Sequence, residues 1–383
     1  MSVDACIEAV EAALASHVES RSVPGYVAAV SLAGERRIIA RGVASLEDSA
    51  PAMTERTLFR IASLSKLIGG ALALSLERDR VIALDEPVAR WLPELEAPRV
   101  IRDMSGPVQD TVPAQQPIRV RDLLTMTAGV GLVTAPGPLQ ATLRAEGLMP
   151  GPFPPPFSHD EFMRRLAALP LALQPGAGWL YHTSIDVLSV LLARAAGRPL
   201  SELVAERIAR PLGIEDLGFY AREPERLATA YTPTDDGLEV LDAPSGRFSR
   251  APRFEALGSG FVCTAAGFLA FMEMLARGGR EAVLGADAVG RMRADQLTDR
   301  QRAAAQLFLG EGRSWGLSCE VVLSSDETAV PPGGFGWNGG TGTTAYADPE
   351  RELTGVLLTQ RAMTSNRPMP AFIDFWDAVY RGL

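Results

Sequence analysis

Lys66 is the only lysine in this chain; every other one of its 37 basic residues is an arginine. It lies three positions after Ser63, in Ile61-Ala62-Ser63-Leu64-Ser65-Lys66. A guanidinium stays charged in proteins, so arginine cannot replace an amine that must give up its proton. A serine hydroxyl is a weak nucleophile until such a base removes its proton. At i and i+3 the two side chains share one helix face. Ser63 would open that helix, where free N–H groups and the dipole favour a developing oxyanion. The simplest alternative is a leftover lysine on a solvated face, and a bare S-x-x-K recurs by chance. The residues that follow argue otherwise: Leu64, Leu67, Ile68, Ala71, Leu72 and Leu74 are apolar almost all round, as in a buried helix. Burial lowers the pKa of an amine and so favours its basic form. Gly69-Gly70 would weaken such a helix but allow close packing.

Other chemistries have less support. The three histidines, His17, His159 and His182, are scattered, and no G-x-S-x-G elbow is present. His182 reads as structural rather than catalytic. Neither a zinc site nor a disulfide framework is implied by Cys6, Cys263 and Cys319, which are far apart and odd in number. No cofactor and no metal are expected. A net charge of −9 argues against nucleic acid or an anionic membrane as partner. The N-terminus lacks a positive n-region and a continuous apolar h-region. No run of about 18 uncharged apolar residues could cross a bilayer. The expectation is a soluble cytoplasmic protein acting on a small molecule, with no oligomeric state indicated.

These residues must be positioned by a scaffold. Ile7, Val10, Leu14 and Val18 recur at helical spacing over 3–20. Residues 25–32 and 36–40 read as a hairpin about Ala33-Gly34. Short helices are expected at 85–91 and from Arg121, and a long irregular loop over the Pro/Gly-rich segment 131–157. Helices follow at 185–196, stopped by Gly197, and at 201–211. Thr264 should cap a helix that ends at Gly278-Gly279. One strand is expected from Trp315 to Leu323. Segments 335–347 and 352–360 read as a hairpin, before a terminal helix with Phe372, Ile373, Trp376 and Val379 on one face. The fold class is α+β. Residues 1–60 and 255–383 together would form a sheet domain flanked by the terminal helices. Residues 61–254 would form a mostly helical domain, with the site in the crevice between the two.

With these segments in view, the chain resembles the serine β-lactamase/penicillin-binding-protein-like superfamily in its class C-like branch. It is most similar there to the family VIII carboxylesterases. Ser63-Leu64-Ser65-Lys66 resembles the S-x-x-K motif, and residues 118–129 resemble the stretch I-T-I-R-x-L-L-x-H-T-S-G. Tyr181-His182-Thr183 resembles the Y-x-N or Y-x-x segment. Residues 258–264 resemble G-G-G-L-x-S-T, and residues 337–343 resemble the closing strand that carries K-T-G in β-lactamases. The resemblance implies that Ser63 forms an acyl-enzyme and that Lys66 and Tyr181 act as a coupled base. Tyr181 would share a hydrogen bond with both partners, its phenol shifted by the neighbouring ammonium. The oxyanion hole would be the N–H groups of Ser63 and Gly340, the latter on an edge strand. Trp337, Asn338 and Gly339 would line the substrate pocket.

Two departures from the family pattern bear on substrate. Trp337 replaces the K-T-G lysine, which the family associates with carboxylate recognition. Thr183 stands where many relatives have Asn. Arg361 could offer a cation instead. A neutral ester suits an aromatic wall better than an anionic antibiotic does, so the expected activity is that of a serine carboxylesterase. Acyl transfer to an alcohol or amine by the same acyl-enzyme is the alternative. A β-lactamase or D-amino-acid peptidase is disfavoured by Trp337, and a catalytically silent sensor by the intact Ser63, Lys66 and Tyr181.

Overall fold

In the computed structural model, which describes residues 2–324 and 329–383, the two ends of the chain share one sheet. Helix α1 (Val3–Glu19) starts at Ser2, whose hydroxyl accepts the Ala5 N–H, and buries Val3, Cys6, Ile7, Val10 and Leu14. The hairpin of β1 (Gly25–Leu32) and β2 (Glu35–Gly42) follows. Helices α2 (Ser65–Arg78) and α3 (Thr183–Ala196) belong to the helical middle. Helix α4 (Ala265–Ala276) is capped by Thr264, whose hydroxyl accepts the Gly267 N–H. Helix α5 (Asp299–Leu309) precedes β3 (Arg313–Trp315), β4 (Glu320–Val322), β5 (Phe335–Gly339), β6 (Thr343–Asp348) and β7 (Leu353–Thr359). Helix α6 (Pro370–Arg381) ends the chain.

The sheet is antiparallel throughout, in the order β2-β1-β7-β6-β5-β4-β3. β1 lies beside β7, with Ala28 opposite Leu357, so residues far apart in sequence form its centre. Both faces are covered, which is why β1 reads as a continuous apolar run. Tyr26, Ala28 and Val30 pack with Phe375 and Trp376 under the terminal helices α1 and α6. Val27 and Ala29 point the other way, into a core that continues through α4 and α2 to the helical middle.

Several local expectations are corrected. Segment 315–323 is not one strand but the hairpin of β3 and β4, turned at Ser318 with a φ of 71°. Segment 335–347 likewise folds back on itself, because Gly342 adopts a φ of 91° between β5 and β6. The loop at 131–157 contains a helix, Pro138–Ala145, that buries Leu139 and Leu143 at i and i+4. A π turn at Ala205–Ala209 interrupts the helix at 200–212. The segment at 85–91 makes only a 3-10 turn, Val88–Arg90.

One buried ion pair anchors the strand leading to Ser63. Arg60 is 3% exposed; its Nε donates to Asp242 Oδ2 at 2.7 Å, and its Nη2 donates to the Ala243 carbonyl at 2.7 Å. Removing one member of such a pair strands a charge in the interior. Asp242→Ala should therefore destabilise the fold by about 3–5 kcal/mol, read from the urea unfolding midpoint.

Candidate active site

Ser63 is held by a strained turn. A 3-10 turn, Ala62–Leu64, runs into α2, so the regular helix begins at Ser65 and not at Ser63. Ala62 has a φ of 41°, in the left-handed region that residues with a Cβ seldom occupy. Thr341 Oγ1 donates to the Arg60 carbonyl, and Thr343 Oγ1 donates to the Ile61 carbonyl at 3.2 Å. These bonds tie the turn to the end of β5 and the start of β6. On the other side the Ile61 N–H donates to the Phe261 carbonyl at 3.0 Å, and Ser65 Oγ accepts the Phe261 N–H at 3.2 Å. Close packing of α2 needs its glycines: a Cβ on Gly70 would come 2.7 Å from the Leu317 carbonyl.

Lys66 is fully buried beneath Ser63. Its Nζ lies 3.0 Å from Ser63 Oγ, 2.7 Å from the Gly258 carbonyl and 3.2 Å from His182 Nδ1. Burial pushes its pKa down to about 7, against an opposing pull from Asp186. Near neutral pH a large share of this amine therefore carries a lone pair. The Tyr181 phenol is moved the other way, above its ordinary value, chiefly by burial. The hydrogen bond shared with Ser63 Oγ and the one donated by the Trp337 indole favour its ionised form but do not prevail. The expected lowering of this phenol by a neighbouring ammonium is thus not what the structure has. Nζ sits over the face of the Tyr181 ring, 4.7 Å from its centroid, and not against the hydroxyl. Burial thus favours the neutral form of the Tyr181 phenol.

A cavity of about 460 Å³ opens above Ser63. Tyr181, Phe308, Trp337, Asn338, Gly340 and Pro152 are among its walls, and no lysine, arginine, aspartate or glutamate among the described residues lines it. Leu132 and Pro150–Pro152 bring both ends of the Pro/Gly-rich segment to its rim. Trp337 Nε1 donates to Tyr181 Oη at 2.6 Å, so the residue in the place of a lysine orients the phenol. Gly339 does not line the cavity. It faces back, where a Cβ would come 2.5 Å from the Ile61 carbonyl, and this close approach brings β5 to the turn that carries Ser63. Gly340 follows it at the cavity wall beside Ser63. β5 is an edge only over part of its length, because its ladder to β4 stops at Gly336. Arg361 is not among the lining residues.

Phe308 is a wall that the sequence reading passes over. It stacks on Tyr181 with ring centroids 4.6 Å apart, and Trp179, Trp315 and Trp337 complete the aromatic group. The available signal was the capping box Thr298-x-x-Gln301 that starts α5, the helix carrying Phe308. His182 is the other surprise, since it touches Lys66 directly.

A family model described as Beta-lactamase matches residues 10–374. The chain belongs to the Beta-lactamase family. Protein Rv1367c of Mycobacterium tuberculosis is 35% identical over 328 residues, spanning 82% of this chain and 80% of that protein. Esterase EstB of Burkholderia gladioli is 34% identical over 390 residues, spanning 95% and 92%. The solved structure titled "EstCE1, a hydrolase with promiscuous acyltransferase activity" superposes with a TM-score of 0.84 at 26% identity, covering 98% of this chain and 99% of that one. The α+β fold is therefore β-lactamase-like. This member of the Beta-lactamase family places an indole beside Tyr181 at the cavity wall, where no cation lies among the described lining residues.

The electrostatics predict a pH profile. With Lys66 as the base, the reactive form would be its neutral amine, and kcat/KM for a neutral ester should rise with pH through an apparent pKa near 7. The phenol, held above its ordinary value, should stay protonated on that plateau. Initial rates between pH 5 and 9 test this. A profile flat across that range would contradict the assignment of Lys66 as base.

Proposed function

We propose that this protein hydrolyses carboxylic esters of small neutral acids through an acyl-enzyme on Ser63. The observation that carries the reading is the neutralisable Lys66 amine, 3.0 Å from Ser63 Oγ, beneath a cavity lined by uncharged side chains. Lys66 takes the hydroxyl proton as Oγ attacks the ester carbonyl. The N–H groups of Ser63 and Gly340 receive the oxyanion. The departing alcohol takes that proton from Lys66, while the neutral Tyr181 phenol donates a hydrogen bond to it, and water then repeats the sequence on the acyl-enzyme. Esterase EstB supports the choice of substrate class. The reading retains two structural parts, 1–60 with 255–383 and 61–254, with the site between them. It also places the protein in the cytoplasm, in keeping with three buried free cysteines.

A second reading, acyl transfer to an alcohol, draws on a neighbouring cavity of about 640 Å³ that shares Phe308, Trp337, Asn338 and Asn366 with the first. It offers room for an acceptor larger than water. The deciding experiment is intact-mass analysis after incubation with p-nitrophenyl esters of graded chain length, with and without an added alcohol. A transient adduct mapped to Ser63, with release of free acid, supports hydrolysis. Alcohol-dependent ester product supports transfer. Absence of any adduct with every ester, or nitrocefin turnover far exceeding ester turnover, overturns both.

A further inference from the structure

Lys66 has three polar neighbours, and their donor and acceptor capacities decide where its lone pair points. A neutral amine carries two hydrogens and one lone pair. The Gly258 carbonyl, 2.7 Å away, can only accept. His182 Nδ1, 3.2 Å away, accepts or donates according to its tautomer. On the far side of that ring, Nε2 lies 3.4 Å from Asp186 Oδ2, both side chains being 4% exposed. A carboxylate accepts only, so it selects the tautomer with hydrogen on Nε2 and leaves Nδ1 bare. Nδ1 and the Gly258 carbonyl then engage both amine hydrogens. What remains on Nζ is the lone pair, directed at Ser63 Oγ.

The surrounding structure is built around this arrangement. His182 has a φ of 83° and a ψ of −69°, a strained conformation for a residue with a Cβ. Its N–H donates to Met126 Sδ at 3.4 Å. Asp186 Oδ1 is buried and has no hydrogen-bond partner among the described residues. A Cβ on Gly258 would come 2.7 Å from Asp186 Oδ1 and 3.1 Å from His182 Nε2, so a larger residue there would push the pair apart.

We propose that His182, its tautomer set by Asp186, is a positioning residue that aims the Lys66 lone pair at Ser63. The opposite tautomer would donate to Nζ and turn an amine hydrogen toward the serine, where it could accept no proton. This proposal rests on the acyl-enzyme reading above. The charged groups that act on this arrangement are Asp186, which acts on Lys66, His182 and Tyr181, and Lys66, which acts on His182, with Glu320 acting on Tyr181. Burial holds His182 below its ordinary value, so the ring stays neutral at pH 7.

The experiment uses the untagged full chain. Nitrogen NMR of imidazole-labelled protein should show the Nε2–H tautomer for His182, and Asp186→Asn should weaken that preference. Because Lys66 is the only lysine, a 13Cε-lysine label has one chain resonance to titrate. Asp186→Asn removes a charge that favours the ammonium, so that midpoint should move down. His182→Leu should slow acylation about a hundredfold with KM little changed. His182→Asn, whose amide oxygen can accept from the amine, should recover most of that loss. An Nδ1–H tautomer in the wild type, or a full acylation rate in folded His182→Leu, overturns the proposal. If a variant fails to fold, the wild-type tautomer decides. Absence of an acyl adduct in the wild type would instead remove the esterase reading, leaving the tautomer measurement independent.

Discussion

Lys66→Met should lower ester turnover by about 10³–10⁴-fold and should remove most of the rise in stability between pH 7 and 10.5. The rate effect follows from removing the proposed base, whose Nζ lies 3.0 Å from Ser63 Oγ. The stability effect follows from linkage. An unfolded lysine titrates near its model value of 10.5, whereas buried Lys66 titrates at about 7. Between those values the unfolded chain binds more protons, so wild-type stability rises with pH across that window. Below pH 7 both states are protonated and the full cost of burying an ammonium is present. That cost is on the order of a few kcal/mol, and methionine, of similar shape, does not carry it. Melting temperatures at pH 6 and pH 10 check the point. The variant's advantage over wild type should be greater at pH 6, and a pH-independent difference would refute it.

Ser63→Ala should leave the fold intact and abolish the acyl adduct, with turnover falling by about 10⁴-fold or more. Loss of one hydroxyl from Ser63, which is 6% exposed, removes a single small group, while the proposed reaction loses its nucleophile. The double variant with Lys66→Met should be scarcely slower than Ser63→Ala alone, because the two residues act on one proton. Multiplicative losses would mean that Lys66 serves a step not shared with Ser63. An adduct of equal yield in the serine variant would place the nucleophile elsewhere.

Much of this arrangement was legible without coordinates. The retained amine one turn from a serine, the apolar run after it and the helix stops at Gly197 and Gly278 are local features, set by proton chemistry and backbone geometry. Strand boundaries were less legible where a residue at positive φ reverses the chain. Gly342 and Ser318 both occupy positive φ, and each converts an apparent single strand into a hairpin. Alternation alone cannot reveal such a reversal, because both arms keep the same period. Phe308 was missed because one aromatic on a helix face carries no sign of what it will stack upon.

The sequence alone determined which groups could do the chemistry, since amine, hydroxyl and phenol have fixed donor and acceptor capacities wherever they are placed. Only the folded chain decided their states. The same burial drives the Lys66 amine toward its free base and holds the Tyr181 phenol protonated, because a low-dielectric interior disfavours whichever form is charged. It also decided that a histidine 116 positions after Lys66 would meet it, with an aspartate behind the imidazole, since that contact depends on how α3 and α2 pack together.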